Sequence, residues 1–179
     1  MKGLIVVDVQ QDFCPGGSLA TGDGDKIIPV INKLMDKFSF VLASKDWHPE
    51  KTVHFEKWPV HCVRGTAGAD FHKELQSGKI TEVALKGTGN SDDGYNAFEA
   101  TNLDVNHQLH RKGIDEVYVC GIATEYCVKA TALAARQAGF KTFLVTDAIS
   151  AVEAKPGDAE EALNTMKENG IVMVKSDEI

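Results

Sequence analysis

The stretch VYVCGIATEYCVKATALAARQAGFKTFLV, residues 117–145, predicts a strand, a helix and a second strand in direct succession. Residues 117–120 form a short apolar run, which is typical of a strand that is buried on both faces of a sheet. The alanine-rich residues 125–138 favour a helix, and Gly139 is a suitable residue to end it. Residues 143–145 form the next apolar strand. A strand, a helix and a strand in this order make a right-handed crossover between parallel strands, so the stretch predicts an α/β fold.

The same alternation of apolar strands and helices runs through the rest of the chain. Further strands are predicted at residues 4–7, 40–43, 83–85 and 171–174, and further helices at residues 26–38, 106–112 and 159–169. We therefore expect one domain, residues 1–179, with a mostly parallel six-stranded sheet and helices on both faces, a three-layer Rossmann-like arrangement. Residues 45–72 show no clear period and are interpreted as a long functional loop. Ligands of such folds bind beyond the carboxyl ends of the strands, so residues that follow a strand are candidates for the site.

Composition and charge narrow the classes of partner. The 179 residues are 43% hydrophobic and have a net charge of −7, from 26 acidic and 19 basic residues. An acidic protein does not favour broad contacts with phosphates, so no nucleic-acid partner is expected. No apolar run approaches the roughly 18 residues of a membrane span, and the N-terminus shows no signal-peptide pattern. A cytoplasmic protein without a membrane partner is the resulting expectation.

Three chemically different side chains follow or end predicted strands. Cys127 lies at the start of the predicted helix, where the helix dipole lowers the pKa of a thiol. The alternative is a small buried residue that packs the helix onto the sheet. Asp8 ends the first strand and Lys86 ends the third, and each taken alone could be structural or an ordinary surface residue. Together at one sheet edge, the three would supply a nucleophile, a proton shuttle and a charge that tunes both.

A second group of candidate residues consists of Asp46, His48, His54 and His61. Three of the six histidines of the chain fall within residues 48–61, which favours a metal site over scattered surface histidines. Three imidazoles and one carboxylate are ligands that suit Zn, Fe or Mn. Glu50 or Glu56 could replace one of these ligands.

Other patterns in the sequence do not predict a functional site. Residues 87–89 hold only two glycines of a dinucleotide fingerprint, and the chain has no P-loop and no zinc-protease motif. The four cysteines lack the C-x-x-C spacing, so free thiols are expected. Residues 92–94 are interpreted as an ordinary turn, and His72, His107 and His110 are expected at the surface or on a helix face.

Seven short motifs follow one another along the chain. They are DVQQDF at residues 8–13, DWHP at 46–49, HF at 54–55, WPVHC at 58–62, KG at 86–87, GYNAF at 94–98 and GIATEYCV at 121–128. With these motifs nearly the whole chain resembles the nicotinamidase/pyrazinamidase group of the isochorismatase-like cysteine hydrolase superfamily.

The resemblance implies a role for each candidate residue. The implied catalytic triad is Asp8, Lys86 and Cys127, and the implied oxyanion hole is formed by the backbone N–H groups of Ala123 and Cys127. One divalent metal ion, zinc before iron or manganese, would be bound by Asp46, His48 and His61, with His54, another ligand or water completing the set. The implied substrate-binding residues are Phe13, Leu19, Trp58, Tyr95 and Ala123. A cis peptide bond between Ile122 and Ala123 is also implied.

The implied activity is hydrolysis of nicotinamide to nicotinate and ammonia through a cysteine thioester, a step of NAD salvage, with the analogue pyrazinamide as a second substrate. A homo-oligomer stays open, because members of the family range from monomers to larger assemblies.

Three other functions are weighed against this one. Hydrolases of the same superfamily that act on isochorismate are not expected to have the thiol, and those that act on carbamoyl or ureido compounds generally lack the histidine group. A metal-stabilised binding module would make the triad incidental. A thiol redox protein is disfavoured by the absence of a paired C-x-x-C.

Overall fold

Six parallel strands form one sheet in the computed structural model, which describes residues 1–179. The strands are β1 (Lys2–Val7), β2 (Val41–Asp46), β3 (Glu82–Lys86), β4 (Glu116–Ile122), β5 (Lys141–Ser150) and β6 (Val172–Val174). Their order across the sheet is β3-β2-β1-β4-β5-β6, and every neighbouring pair is parallel. The six-stranded parallel sheet expected from the sequence is confirmed. The direction of strand order reverses between β1 and β4, which is where ligands bind in open parallel sheets.

Four helices cover the sheet on both faces. They are α1 (Ile28–Met35), α2 (Val105–Arg111), α3 (Lys129–Gln137) and α4 (Asp158–Glu168). Successive side chains of a strand point to opposite faces, and the side chains of β1 follow this rule. Leu4 and Val6 are buried in an apolar cluster with α1, whereas Ile5 and Val7 are buried in a cluster with α2, α3 and α4. The expected helix layers on both faces are therefore confirmed.

The ends of several elements differ from the sequence prediction. The helix predicted at residues 26–38 is α1, Ile28–Met35, although Phe38 still packs into the same apolar cluster. The strand predicted at residues 143–145 extends to Lys141–Ser150, because a bulge against β4 carries the polar segment after Val145 along the sheet. The helix predicted from residue 125 is α only from Lys129, and a π-helical turn precedes it.

The long segment between β2 and β3 is tied down at several points. Residues 45 and 46, which the sequence placed in the loop, are the end of β2. Three 3₁₀ turns follow, at Val53–Glu56, Ala67–Ala69 and Ser77–Lys79. Isolated bridges pair Gln10 with Phe71 and His48 with Val63, so the segment folds back over the carboxyl edge of the sheet.

The longest helix of the fold has 11 residues. None of the helices combines the length and the apolar character that crossing a lipid bilayer requires.

Candidate active site

The ends of four neighbouring strands bring the candidate side chains together. Asp46 ends β2 and Lys86 ends β3, and the two residues are partners in the register of these strands. Asp8 follows β1 directly, and Cys127 lies in the π-helical turn Thr124–Val128 that follows β4. Because the strands are parallel, all four side chains reach the same edge of the sheet.

The ammonium group of Lys86 is the centre of this cluster. Lys86 is fully buried, and its Nζ lies 2.7 Å from Asp8 Oδ2 and 3.5 Å from Cys127 Sγ. The same Nζ donates to Gly94 O at 2.7 Å and forms an ion pair with Asp46 Oδ1. Burial by itself would lower the pKa of Lys86, but the carboxylates of Asp46 and Asp8 outweigh it and hold the pKa well above its usual range. The side chain is therefore a permanent cation between two acids and a thiol.

Asp8 is placed to take up and release a proton. Its Oδ1 accepts a hydrogen bond from Ser44 Oγ at 2.7 Å. Its Oδ2 pairs with Lys86 Nζ and has no further hydrogen-bond partner, so this buried oxygen keeps a lone pair that can take up a proton. Burial raises the pKa of Asp8 above its ordinary value, although Lys86 opposes that rise. A carboxyl group with a raised pKa can serve as both base and acid.

The backbone of Asp8 is held in an unusual conformation. Its φ of 48° lies in the left-handed region, which costs a non-glycine residue of order 1–3 kcal/mol. Two backbone hydrogen bonds hold it there, from Asp8 N to Ser44 O at 3.2 Å and from Gln10 N to Asp8 O at 2.8 Å. In this conformation the Oδ2 atom of Asp8 lies 2.7 Å from Lys86 Nζ.

For Cys127, burial acts against the lowering of the thiol pKa that the helix start favours. Burial raises the pKa of Cys127 well above its ordinary value, and the cation of Lys86 only partly opposes this effect. Its Sγ, the Asp8 carboxylate and the Asp46 carboxylate all lie within 4.8 Å of one another. The carboxylate of Asp8, which could accept the proton of Cys127, is therefore within reach of the thiol.

Three histidines form a compact group beside this cluster. His48, His54 and His61 are buried, and one ring nitrogen from each lies within 4.8 Å of the others. Each Nδ1 is close to an oxygen acceptor: His48 to Gly87 O at 2.9 Å, His61 to Pro59 O at 2.7 Å, and His54 to Asp92 Oδ1 at 3.0 Å. Because these acceptors have no proton to give, each Nδ1 donates, and each Nε2 keeps its lone pair.

The donor set fits a divalent transition-metal ion. The Nε2 atom of His48 is buried and has no hydrogen-bond partner, which is costly unless a cation binds it. Asp46 Oδ2 lies 3.6 Å from this atom and 3.7 Å from His61 Nε2. Burial lowers the pKa of His54, which favours the neutral ring that metal binding requires.

Asp46 links the histidine group to the lysine cluster. One of its oxygens pairs with Lys86 and the other faces His48 and His61. Burial opposes ionisation of Asp46, but the ammonium group of Lys86 outweighs it and holds the pKa of Asp46 well below the usual range. Gln10 clamps the backbone of Asp46, since its Nε2 donates to Asp46 O at 2.8 Å and its Oε1 accepts from Asp46 N at 2.8 Å.

A cavity opens between the two groups and encloses about 490 Å³ of empty space, its mouth included. Its polar end is formed by Asp46, His54, His61 and Cys127. The remaining lining residues are Phe13, Leu19, Trp58, Gly94, Tyr95, Ile122, Ala123, Tyr126 and Val152. This lining includes the five residues named from the sequence as substrate contacts. The cavity thus offers apolar and aromatic walls to a small flat molecule, with polar groups at one end.

The lining of the cavity includes a free backbone donor. The Ile122–Ala123 peptide bond is cis, as the resemblance implies. The N–H group of Ala123 donates to no backbone carbonyl, and Ala123 and Cys127 both line the cavity. A developing oxyanion near Cys127 could use such a donor.

Some outcomes differ from the sequence analysis. Glu50 and Glu56 are exposed and stay outside the histidine group, so they are not alternative ligands. His72 is buried rather than at the surface. The segment at residues 92–94 is more than a turn, because Asp92 contacts His54.

Gln10, Asp92 and Tyr126 were missed as parts of the site. The motif DVQQDF contains Gln10, but nothing in its spacing shows that the side chain clamps the next strand. Tyr126 precedes Cys127 directly and could have been named as a cavity residue on that ground.

The fold and the site together define a class of protein: a parallel α/β domain in which a buried cysteine, lysine and aspartate meet a histidine-rich group at the carboxyl edge of the sheet. Within that class, the chain belongs to the isochorismatase family, since the isochorismatase domain matches residues 2–178.

The chain is similar to curated proteins and to solved structures. The chain is 37% identical to the nicotinamidase/pyrazinamidase of Mycobacterium tuberculosis, over 98% of this chain and 100% of that protein. The pyrazinamidase of Pyrococcus horikoshii in complex with zinc is 42% identical, with a TM-score of 0.88 over 97% of this chain and 98% of that one. PnC1 of L. infantum in complex with nicotinate is 36% identical, with a TM-score of 0.92 over 99% of this chain and 93% of that one.

Proposed function

We propose that this chain, acting as one domain of residues 1–179, hydrolyses nicotinamide to nicotinate and ammonia through a cysteine thioester. The observation that carries the proposal is that Cys127 lines a cavity with aromatic walls and contacts Lys86, which pairs with Asp8. The nicotinamidase relatives and the nicotinate complex of a structural neighbour support this choice of substrate. Pyrazinamide has the same carboxamide on a similar ring and is proposed as a second substrate.

The first half of the reaction forms the thioester. Cys127 transfers its proton to Asp8 Oδ2 and its sulfur attacks the carboxamide carbon, so that a C–S bond forms. The N–H groups of Ala123 and Cys127 stabilise the tetrahedral oxyanion. The C–N bond then breaks, and Asp8 returns the proton to the departing nitrogen, which leaves as ammonia.

The second half of the reaction releases the acid. Asp8 removes a proton from a water molecule, and the resulting hydroxide attacks the thioester carbon. The C–S bond breaks, Asp8 passes the proton taken from water to the sulfur of Cys127, and the acid leaves as nicotinate after its carboxyl proton passes to solvent. Lys86 holds the Asp8 carboxylate in place throughout, because its ammonium group contacts both Asp8 and Cys127.

Asp46, His48, His54 and His61 are the proposed ligands of a divalent metal ion, for which zinc is the first choice because a structural neighbour is a zinc complex. When bound, the ion would supply a Lewis-acid contact to the ring nitrogen of the substrate, directly or through water. Such a contact would orient the ring so that its carboxamide faces Cys127, which lies at the same polar end of the cavity as His54 and His61.

The test is an ammonia-release assay with nicotinamide on protein of measured metal content. We expect the wild-type protein to release ammonia and Cys127→Ala to release none while it keeps its metal content. Cys14→Ala is the matched control, because Cys14 is buried outside the cavity lining and should leave turnover unchanged. Wild-type turnover by Cys127→Ala would contradict the proposed mechanism, and an inactive wild-type protein with full metal content would contradict the proposed substrate.

A further inference from the structure

One of the three clustered histidines is held differently from the other two. His48 and His61 donate their Nδ1–H groups to backbone carbonyls, of Gly87 at 2.9 Å and of Pro59 at 2.7 Å. His54 donates instead to a side chain, the Oδ1 atom of Asp92 at 3.0 Å. Of the three rings, only that of His54 depends on a group that a substitution can remove.

The carboxylate of Asp92 has further partners that reach the cavity wall. Its Oδ1 also accepts a hydrogen bond from Tyr95 OH at 2.6 Å, and its Oδ2 pairs with Lys57. Tyr95 OH in turn accepts from Trp58 Nε1 at 3.1 Å. His54, Trp58 and Tyr95 all line the cavity, so one carboxylate joins a ring of the histidine group to two aromatic walls.

The loop that carries Asp92 is itself anchored at both ends. Residues 87–96 connect β3 to the 3₁₀ turn Ala97–Glu99 without regular structure. Asn90 Oδ1 accepts from Val53 N at 2.9 Å, next to His54, and Gly94 O accepts from Lys86 Nζ at 2.7 Å. Asp92 therefore lies in a segment that is fixed both to the 3₁₀ turn Val53–Glu56, which carries His54, and to Lys86.

We infer that Asp92 is a positioning residue, which orients His54 for metal binding and holds the Tyr95–Trp58 wall against the substrate through the same carboxylate. The inference rests on the proposed function for the substrate, and on the histidine group alone for the metal. It predicts that metal affinity and substrate affinity both depend on Asp92, although Asp92 does not line the cavity and is not one of the metal-binding residues.

The dependence on Asp92 follows from the kind of group that accepts the Nδ1–H of His54, which is a carboxylate. A carboxylate that accepts from Nδ1–H fixes the imidazole tautomer with a bare Nε2, sets the angle of the ring and makes the free nitrogen a better ligand. Without this acceptor, His54 can rotate or carry its proton on Nε2, and either change removes one donor from the group. Tyr95 OH loses its strongest partner at the same time, which frees the ring that packs beside the cavity.

The first measurement is zinc affinity, determined on metal-free protein by competition with a chromophoric chelator. We expect Asp92→Ala to bind zinc about 10- to 100-fold more weakly than the wild-type protein, which is the usual effect of removing such a partner. Asp92→Asn should show a smaller loss, since an amide oxygen can still accept from His54. Asp93→Asn is the matched control, because it removes the same charge from the neighbouring exposed residue and should leave the affinity unchanged.

Lys57→Ala is a second control. It removes the other partner of Asp92 but not the contact with His54, and an exposed ion pair contributes little. The melting temperatures of the metal-free variants should match that of the wild-type protein, so that a loss of zinc affinity is not a loss of folded protein.

The second measurement is the KM for nicotinamide at saturating zinc. Asp92→Ala should raise KM with a smaller effect on kcat, because the triad is untouched. Tyr95→Phe breaks only the link between Asp92 and the aromatic wall, so it should raise KM while zinc affinity stays close to that of the wild-type protein.

The outcomes separate this inference from the proposed function. The positioning role would be overturned if Asp92→Ala bound zinc as tightly as the wild-type protein does, or if Asp93→Asn lost as much zinc affinity as Asp92→Ala. Either result would count even if the protein hydrolyses nicotinamide. A wild-type protein that does not hydrolyse nicotinamide would overturn the proposed function, while weaker zinc binding by Asp92→Ala would still support the role of Asp92 toward the metal. An unchanged KM in Tyr95→Phe would overturn the link to the cavity wall.

Discussion

Lys86 shows at the residue scale how burial and charge combine in this site. A lysine without exposure to water would ordinarily lose its proton, because burial disfavours the charged form. Asp46 and Asp8 reverse that effect, and the resulting cation in turn lowers the pKa of Asp46, whereas burial outweighs it at Asp8 and raises the pKa of that carboxyl group. The reactivity proposed for Cys127 is therefore a property of the cluster and not of the thiol alone.

Ser44 provides a pH test of the role given to Asp8. Its hydroxyl donates to Asp8 Oδ1 and so favours the ionised carboxylate. Asp8 must be ionised to take the proton of Cys127, so activity is lost as the pH falls through the pKa of Asp8. Ser44→Ala raises that pKa further, and the acid limb of the kcat/KM profile should move to higher pH. The shift should be roughly one unit, because a hydrogen bond to a charged group is worth about 1.5 kcal/mol.

The pH profile of kcat/KM for nicotinamide checks this expectation. Lys86, Asp46 and Cys127 surround the same carboxylate and are unchanged in the variant. Thr142→Val is the matched control, because it removes a buried hydroxyl whose only partner is Phe140 O, far from the cavity. An acid limb that stays in place, or that moves to lower pH, would contradict the role of Asp8 as the base.

The sequence predicted some residues of the site better than others, for a physical reason. Asp8, Lys86 and Cys127 could be grouped because parallel strands end at one edge, so position after a strand is enough to bring them together. Asp92 and Gln10 could not be grouped in this way, because their partners depend on how the irregular segments fold back. No periodicity encodes those contacts.

At the scale of elements, strand and helix centres were predictable and their ends were not. Runs of apolar residues located β1 to β6, because burial on both faces leaves a continuous apolar signal. The end of β5 was missed because Thr146 and Asp147 interrupt that signal, and a bulge against β4 lets the strand continue past them. The π-helical turn at Thr124–Val128 was missed because its residues read like an ordinary helix start.

Gly121 gives a prediction at this scale, because it lies where β4 pairs with β1 just before the site. Its φ is 119°, and a Cβ there would lie 2.1 Å from Val7 O. Gly121→Ala should therefore lower the free energy of unfolding by about 3 kcal/mol or more, from backbone strain and from a forced separation of the two strands. Urea unfolding measures this loss.

Gly78→Ala serves as the control for Gly121→Ala. Gly78 has no atom within 4 Å of an added Cβ and has no positive φ, so the same change should alter stability little. Equal stability of the two variants would show that the close approach of β4 to β1 does not constrain the fold as described.

At the scale of the whole molecule, Asp46 joins two functions that lie on different segments. Its oxygens face the histidines of the β2–β3 connection on one side and the lysine cluster of β1, β3 and β4 on the other. A cation bound by the histidine group would therefore cross-link the long connection to the sheet. Binding to the native state alone stabilises a protein, by about 2.7 kcal/mol when the ligand is at 100 times its Kd.

Zinc should consequently raise the melting temperature of the metal-free protein, and a strong chelator should reverse the rise. His48→Ala removes the ring whose Nε2 has no other partner, so the rise should be largely lost together with nicotinamide hydrolysis. His107→Ala removes an exposed histidine on α2 and should keep the full rise. Thermal scans with and without zinc measure both variants, and a rise in His48→Ala equal to that of the wild-type protein would place the metal elsewhere. His48 faces one oxygen of Asp46 and Lys86 pairs with the other, so the loss of His48 should leave the contacts of Lys86 with Cys127 and Asp8 intact. The loss of hydrolysis should therefore come from weaker binding of the substrate.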